Sequence, residues 1–190
     1  QENYLAAYRA ENLSELSQMT AIASSGLRMF EETFGQRSRT FIACNYIWPQ
    51  ELEKALLHKG IKVFQGQRAQ LSPDLSANGK TRIRRKFTGQ KNRYGQFYTV
   101  RNVRFEPYLR ESPSEEVDSA LAEIKRSFFW QKPAIISTHR INYVSQMSVE
   151  HRDKNLYALK SLLQRLLKDY PDIEFMHSED LLATMNAQRV

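Results

Sequence analysis

Short apolar runs alternate along this chain with longer stretches of helical spacing. Residues 11–34 are polar and helix-favouring, with Leu13, Leu16, Met19 and Ile22 near helical spacing, and Gly35 stops them. Thr40-Phe41-Ile42-Ala43 reads as a buried strand. Trp48-Pro49-Gln50-Glu51 opens the next helix with Pro49 at its first position. Lys54, His58 and Lys59 favour its C-terminal end, and Gly60 follows as the cap. Residues 61–65 read as a second strand. The stretch 66–96, with Pro73, Gly79, Gly89 and Gly95, reads as a long loop carrying a basic hairpin over 81–87.

Residues 97–103 read as a third strand. Ser112-Pro113-Ser114-Glu115 fits a capping box with Pro at the first helical position, opening a helix through Ile124 and Phe128. Ala134-Ile135-Ile136 reads as a fully buried strand. Leu156, Leu159, Leu163 and Leu166 form an apolar stripe on a helix that Pro171 ends. Ile173-Glu174-Phe175-Met176 reads as a fifth strand, and Ser178-Glu179-Asp180 caps a last helix. Five strand-then-helix units with short connections predict one α/β domain over residues 1–190, its strands mainly parallel and adjacent, its helices outside. An open edge at the Thr40 strand should then be exposed or paired with another chain, either a second copy or a part preceding Gln1.

Composition fits a folded, soluble chain. Of 190 residues, 41% are hydrophobic and 11% aromatic, enough for a real core. No apolar run approaches the ~20 residues that cross a bilayer, and the first residues lack a basic n-region and an apolar h-region. The single cysteine, Cys44, excludes an internal disulfide and is expected to be a small packed residue. Net charge is +7, but residues 75–105 contain no acid and nine bases: Lys80, Arg82, Arg84, Arg85, Lys86, Lys91, Arg93, Arg101 and Arg104. Removing those nine leaves 19 bases against 21 acids, so one segment creates the whole basic character. Such a segment suits phosphate backbones, acidic glycans or an acidic surface, or is simply a solvated hairpin. Nucleic acid is the minority option among its partners.

The candidate chemistry follows the fourth strand. Lys132-Pro133-Ala134-Ile135-Ile136-Ser137-Thr138-His139-Arg140-Ile141-Asn142-Tyr143 breaks from apolar residues directly into Ser, Thr, His, Arg and Asn. Ligands bind at the C-terminal ends of parallel strands, and a histidine there can exchange a proton near neutral pH. The plainer reading makes His139 a strand cap bonded to nearby backbone.

These residues also carry a family resemblance. The His139 segment, Arg152-x-x-Asn155-Leu156, and Tyr170-Pro171-Asp172-Ile173-Glu174-Phe175-Met176 resemble the C-terminal portion of bacterial polysaccharide deacetylase-like proteins, in the glycoside hydrolase/deacetylase superfamily. So do Phe41-Ile42-Ala43-Cys44-Asn45-Tyr46-Ile47-Trp48, Gly60-Ile61-Lys62 and Arg101-Asn102-Val103-Arg104-Phe105-Glu106-Pro107, and the likeness spans about residues 34–182. The resemblance implies part of a seven-stranded β/α barrel, the C-terminal half to two-thirds of a larger protein, that removes N-acetyl groups from a glycan. It makes His139 the late histidine that protonates the leaving amine. It places substrate contacts at Asn45, Tyr46, Trp48, Arg101, Asn102, Glu106, Arg140, Asn142 and Tyr143.

The resemblance also implies a divalent, zinc-like metal in the intact protein, held by an early acidic pair and a His-x-x-x-His that lie N-terminal to this chain. No two of His58, His139, His151 and His177 have the i,i+3 or i,i+4 spacing of a metal pair, so no ligand set is recognisable here. The Phe-Arg-Pro-Pro of many members is replaced by Phe41-Ile42-Ala43-Cys44, and an acidic motif by Arg101-Asn102. Catalysis by these 190 residues alone is therefore not expected.

Three functions stay open. The first is a deacetylase-type carbohydrate hydrolase. The second is a non-catalytic glycan-binding or polysaccharide-biosynthesis accessory with Tyr46, Trp48 and Tyr143 as sugar platforms. The third is an anion or nucleic-acid binder working through residues 80–93. In the first, His139 should sit at the mouth of the sheet near Asn45 or Tyr46, Arg101 or Asn102, and Arg140 or Asn142. Glu106 is the weaker member, because Pro107 starts a loop.

Overall fold

α-Helices and mostly parallel strands alternate through the computed structural model, which describes residues 7–77, 79–109, 112–144 and 148–187. The chain forms two units, Gln1–Val100 with Met176–Val190, and Arg101–Phe175.

In the first unit, α1 spans Leu13–Phe34. The Asn12 side chain accepts from Glu15 N, satisfying one of the helix's orphan donors, and the Glu15 carboxylate accepts from Glu11 N at 2.8 Å, tying the residue before the cap to the first turn. Gly35 ends it in the left-handed region at φ 68°, its N–H bonded to Glu31 O. Three parallel strands follow in the order β1 (Thr40–Ile42), β2 (Val63–Gly66) and β5 (Phe97–Val100). Between β1 and β2 runs α2, Gln50–Leu57, with Pro49 one place earlier than expected, as the N-cap. Its buried face is Leu52, Glu53 and Leu56. The two leucines pack with Trp48, Ile61, Phe64 and Tyr98 in the unit's core, each stabilising it by about 1.5–3 kcal/mol.

The excursion after β2 is more ordered than the sequence suggests. β3 (Ala69–Asp74) and β4 (Lys80–Arg85) form an antiparallel hairpin, with Gly79 at φ 71° closing the turn through its N–H to Asp74 O. The hairpin starts earlier than 81 because Pro73 sits inside β3, where its missing N–H is tolerated in a two-stranded ribbon. α5, Ser178–Ala187, completes the unit, and Glu179 accepts from Arg39 N at 2.8 Å.

The second unit holds a parallel pair, β6 (Val103–Arg104) and β7 (Ile136–Ser137), with α3 (Pro113–Phe129) and α4 (Val149–Asp169). Its core joins Val117, Ala120 and Ile124 of α3 to Ala158, Leu162 and Leu166 of α4.

Several expectations are corrected. The predicted third strand is two strands, broken at Arg101-Asn102, where Asn102 bonds the segment before β7 through its side chain. Residues 173–177 form no strand; Ile173 turns into the second core while Phe175 and Met176 stay exposed. Residues 134–136 are half-buried, since only one side of the short β6–β7 pair meets the helices. The buried seam of α4 is Asn155, Ala158, Leu162 and Leu166, so Leu156 and Leu163 face out. No capping box forms at α3: Ser112 Oγ lies 2.7 Å from Ser114 Oγ instead. Cys44 is exposed, because the chain turns away after β1. The described strands fall in sheets of three, two and two, none closing on itself. No helix among the described residues is long and apolar enough to cross a membrane.

Candidate functional site

β6 runs into Phe105 and Glu106, and β7 into Thr138 and His139, so two parallel strands deliver an acid and a histidine at the same ends. Phe105 N extends the ladder to Ser137 O at 2.9 Å. Glu106 N donates to the buried Glu116 of α3 at 2.8 Å, and the chain then enters the short 3-10 turn Pro107–Leu109. After β7, His139 is extended (φ −110°) and precedes a second such turn, Arg140–Asn142.

The carboxylate of Glu106 is where these turns meet. Its Oε1 lies 2.6 Å from His139 Nδ1, and its Oε2 accepts from Asn142 Nδ2 at 2.8 Å. Asn142 is wholly buried; its Oδ1 accepts from Tyr108 N at 3.0 Å, and its Nδ2 also reaches His139 O at 2.9 Å. One asparagine thus fixes both turns and the acid between them. The Glu106 side chain is 5% exposed and that of His139 65% exposed.

Because a carboxylate only accepts, it selects the His139 tautomer with the proton on Nδ1, which leaves the lone pair on Nε2 of an accessible ring. An oriented imidazole of this kind can take a proton from, or give one to, a reacting group. Beside it, Thr138 Oγ1 and Tyr143 OH lie 2.8 Å apart. Burial pushes the Tyr143 phenol up, its bond to Thr138 opposes this, and the charge of Glu106 adds to the rise.

The other expected contacts divide between the units. In the second, Arg101 Nη1 donates to Ser137 Oγ at 3.0 Å, and Asn102 bonds Pro133 O, Ser127 Oγ and Ile135 N. Arg140 is exposed. Asn45, Tyr46 and Trp48 belong to the first unit. Asn45 and Tyr46 follow β1 at φ 52° and 58°, an unfavourable backbone for a bulky tyrosine. Trp48 is wholly buried and stacked on Phe64, so it serves the core rather than offering a face to a sugar.

Nothing in the sequence reading anticipates a second polar centre in the first unit. Glu53, buried on α2, accepts from Tyr98 OH at 2.6 Å, Asn92 Nδ2 at 3.0 Å and Trp48 Nε1 at 3.1 Å. The Lys86 ammonium lies 3.6 Å from the centre of the Tyr98 ring. Burial holds Lys86 below the usual lysine range, opposed by the charge of Glu53 and reinforced by Arg84. Tyr98 is driven far above the ordinary phenol value by burial, then by the charge and hydrogen bond of Glu53. The signal that could have found this centre is a glutamate on the apolar face of α2, between Leu52 and Leu56.

No family model, curated protein or solved structure matches this chain. Nor do the residues present fit the divalent metal that the sequence resemblance implies. Among the described residues, no three His, Cys, Asp or Glu side chains converge as a metal site would need, and Glu106 with His139 supplies only two.

Proposed function

We propose that this chain carries the proton-transfer centre of a polysaccharide deacetylase-like carbohydrate hydrolase that removes N-acetyl groups from a glycan, on the incomplete seven-stranded β/α barrel of that group. The observation supporting it is the Glu106–His139 pair: an accessible imidazole held by a buried carboxylate at the end of a parallel strand. In this reading the Nε2 lone pair of His139 takes a proton from water as the water oxygen bonds to the acetyl carbon, and Nε2 then gives that proton to the amide nitrogen as the carbon–nitrogen bond breaks, leaving acetate and the sugar amine. Glu106 holds the ring through Nδ1 and stabilises the imidazolium before that transfer. Asn142 fixes Glu106.

Acetate release from N-acetylated oligosaccharides by the intact protein that carries this chain, with divalent metals supplied, tests the reading; the 190 residues alone should release little or none. His139→Ala should lower turnover by ~10²–10⁴, the usual worth of a positioned general acid. Absence of acetate release by the intact wild-type protein, together with retention of the sugars, would select the accessory role instead.

A further inference from the structure

The seven bases of the acid-free stretch that fall in the first unit divide into two groups. Lys86 is buried against Tyr98, Arg82 pairs with Asp74 at 2.7 Å, and Arg84 is half-buried. Lys80, Arg85, Lys91 and Arg93 are exposed, and none has an ionic partner among the described residues. Strand alternation sends Lys80 to one face of β4, beside Arg82, and Arg85 to the other, beside the exposed Ile83. β4 is laddered only to β3, so its other edge is open among the described residues. Lys91 and Arg93 continue the series in the turn before β5.

We infer that this hairpin and the turn after it bind an acidic polysaccharide, a chain of sugars bearing carboxylates. The charges are strung along a ribbon, Lys80 to Arg85 covering about 17 Å, and do not converge on one point as a single small anion would require. A polymer with repeated charges matches that spacing. A single-stranded nucleic acid is the poorer match, because it needs open aromatic faces for base stacking. Here cations already cover the rings nearest the bases: Lys86 over Tyr98, Lys91 over Phe97 and Arg93 over Tyr94. Phe87 is the exposed ring of the segment.

The test is equilibrium binding of the full chain to hyaluronan, to its carboxyl-reduced form, and to RNA and duplex DNA of equal length. Hyaluronan should bind, weaken by ~10-fold or more between about 50 and 200 mM salt, and lose its affinity on carboxyl reduction. The variant K80Q/R85Q/K91Q/R93Q should bind at least ~10-fold more weakly while unfolding normally. A control with the same net charge, K59Q/K125Q/K160Q/K168Q, should bind as the wild type does. No salt-dependent binding, equal losses in both variants, or tighter binding of either nucleic acid would overturn the proposal. Should the quadruple variant fail to fold, R85Q/K91Q against K125Q/K160Q carries the same comparison. Binding is read without turnover, so its failure and an active His139→Ala variant are separate results.

Discussion

Glu106 Oε1 and His139 Nδ1 lie 2.6 Å apart although 33 residues separate them in the chain. The parallel pairing of β6 with β7 creates that approach, since both side chains follow their strands in the same direction. The acid is buried and the histidine is not, which is the arrangement of a holder and a group that works. If Glu106 orients His139, Glu106→Gln should lower kcat by roughly 10- to 100-fold with KM little changed. The amide can present its NH₂ to Nδ1 and stabilise the wrong tautomer. Steady-state kinetics on an N-acetylated oligosaccharide decide it. An unchanged kcat would return the pair to strand capping.

Asn142 should matter more for folding than its short side chain suggests. Its removal leaves Glu106 Oε2 and Tyr108 N–H without partners in a buried place. Each orphaned group costs about 1–3 kcal/mol, so Asn142→Ala should destabilise the second unit by about 2–6 kcal/mol. Urea unfolding followed by circular dichroism measures the loss. A change below about 0.5 kcal/mol would show that water replaces the amide freely.

Local pattern was a good guide wherever the chain bonds to itself nearby. Gly35 and the helical spacing before it mark α1, although Leu13 and Ile22 of that spacing stay exposed, and β1, β2 and β5 begin at or close to the expected places. It failed where a distant partner decides. Residues 173–176 have strand composition but no ladder, and of the leucine stripe only Leu166 lies in the buried seam of α4, because α3 packs against Ala158 and Leu162. His139 is legible as a histidine following a strand. Glu106 reads in the sequence as the weaker member because of Pro107, and only the pairing of β6 with β7 brings it to the ring.

Asn102 is exposed, yet both ends of its amide are bonded: Oδ1 accepts from Ile135 N at 2.7 Å and Nδ2 donates to Pro133 O at 2.9 Å. It acts as a side-chain rung ahead of the β6–β7 ladder. Asn102→Ala should cost about 1–2 kcal/mol and speed exchange of the Ile135 amide hydrogen. Asn102→Asp keeps the acceptor and should keep most of the protection. If Asn102→Ala instead raises KM and leaves that exchange unchanged, the residue serves substrate rather than fold.

The Glu53–Tyr98–Lys86 centre should give the first unit an alkaline stability profile with two limbs. Lys86 titrates below its ordinary 10.5 in the folded chain, so the unfolded chain holds that proton to higher pH. Between the two values the unfolded state binds more protons, and stability rises with pH toward 10.5. Tyr98 works the other way: its folded value is raised from 10.0, so above about pH 10 the unfolded chain loses a phenol proton that the folded chain keeps. Stability from this group is full below that point and lost as pH rises further. Urea midpoints between about pH 7 and 11 should therefore climb and then fall. Lys86→Met should flatten the climb, and Tyr98→Phe should blunt the fall while lowering stability throughout, because Glu53 loses its 2.6 Å donor. Glu53→Gln removes the charge that supports the Lys86 ammonium and should lower its titration further, visible in the NMR shift of the ε-methylene. A Lys86 that titrates near 10.5 in both wild type and Glu53→Gln would show that the ammonium reaches water and that the centre is open.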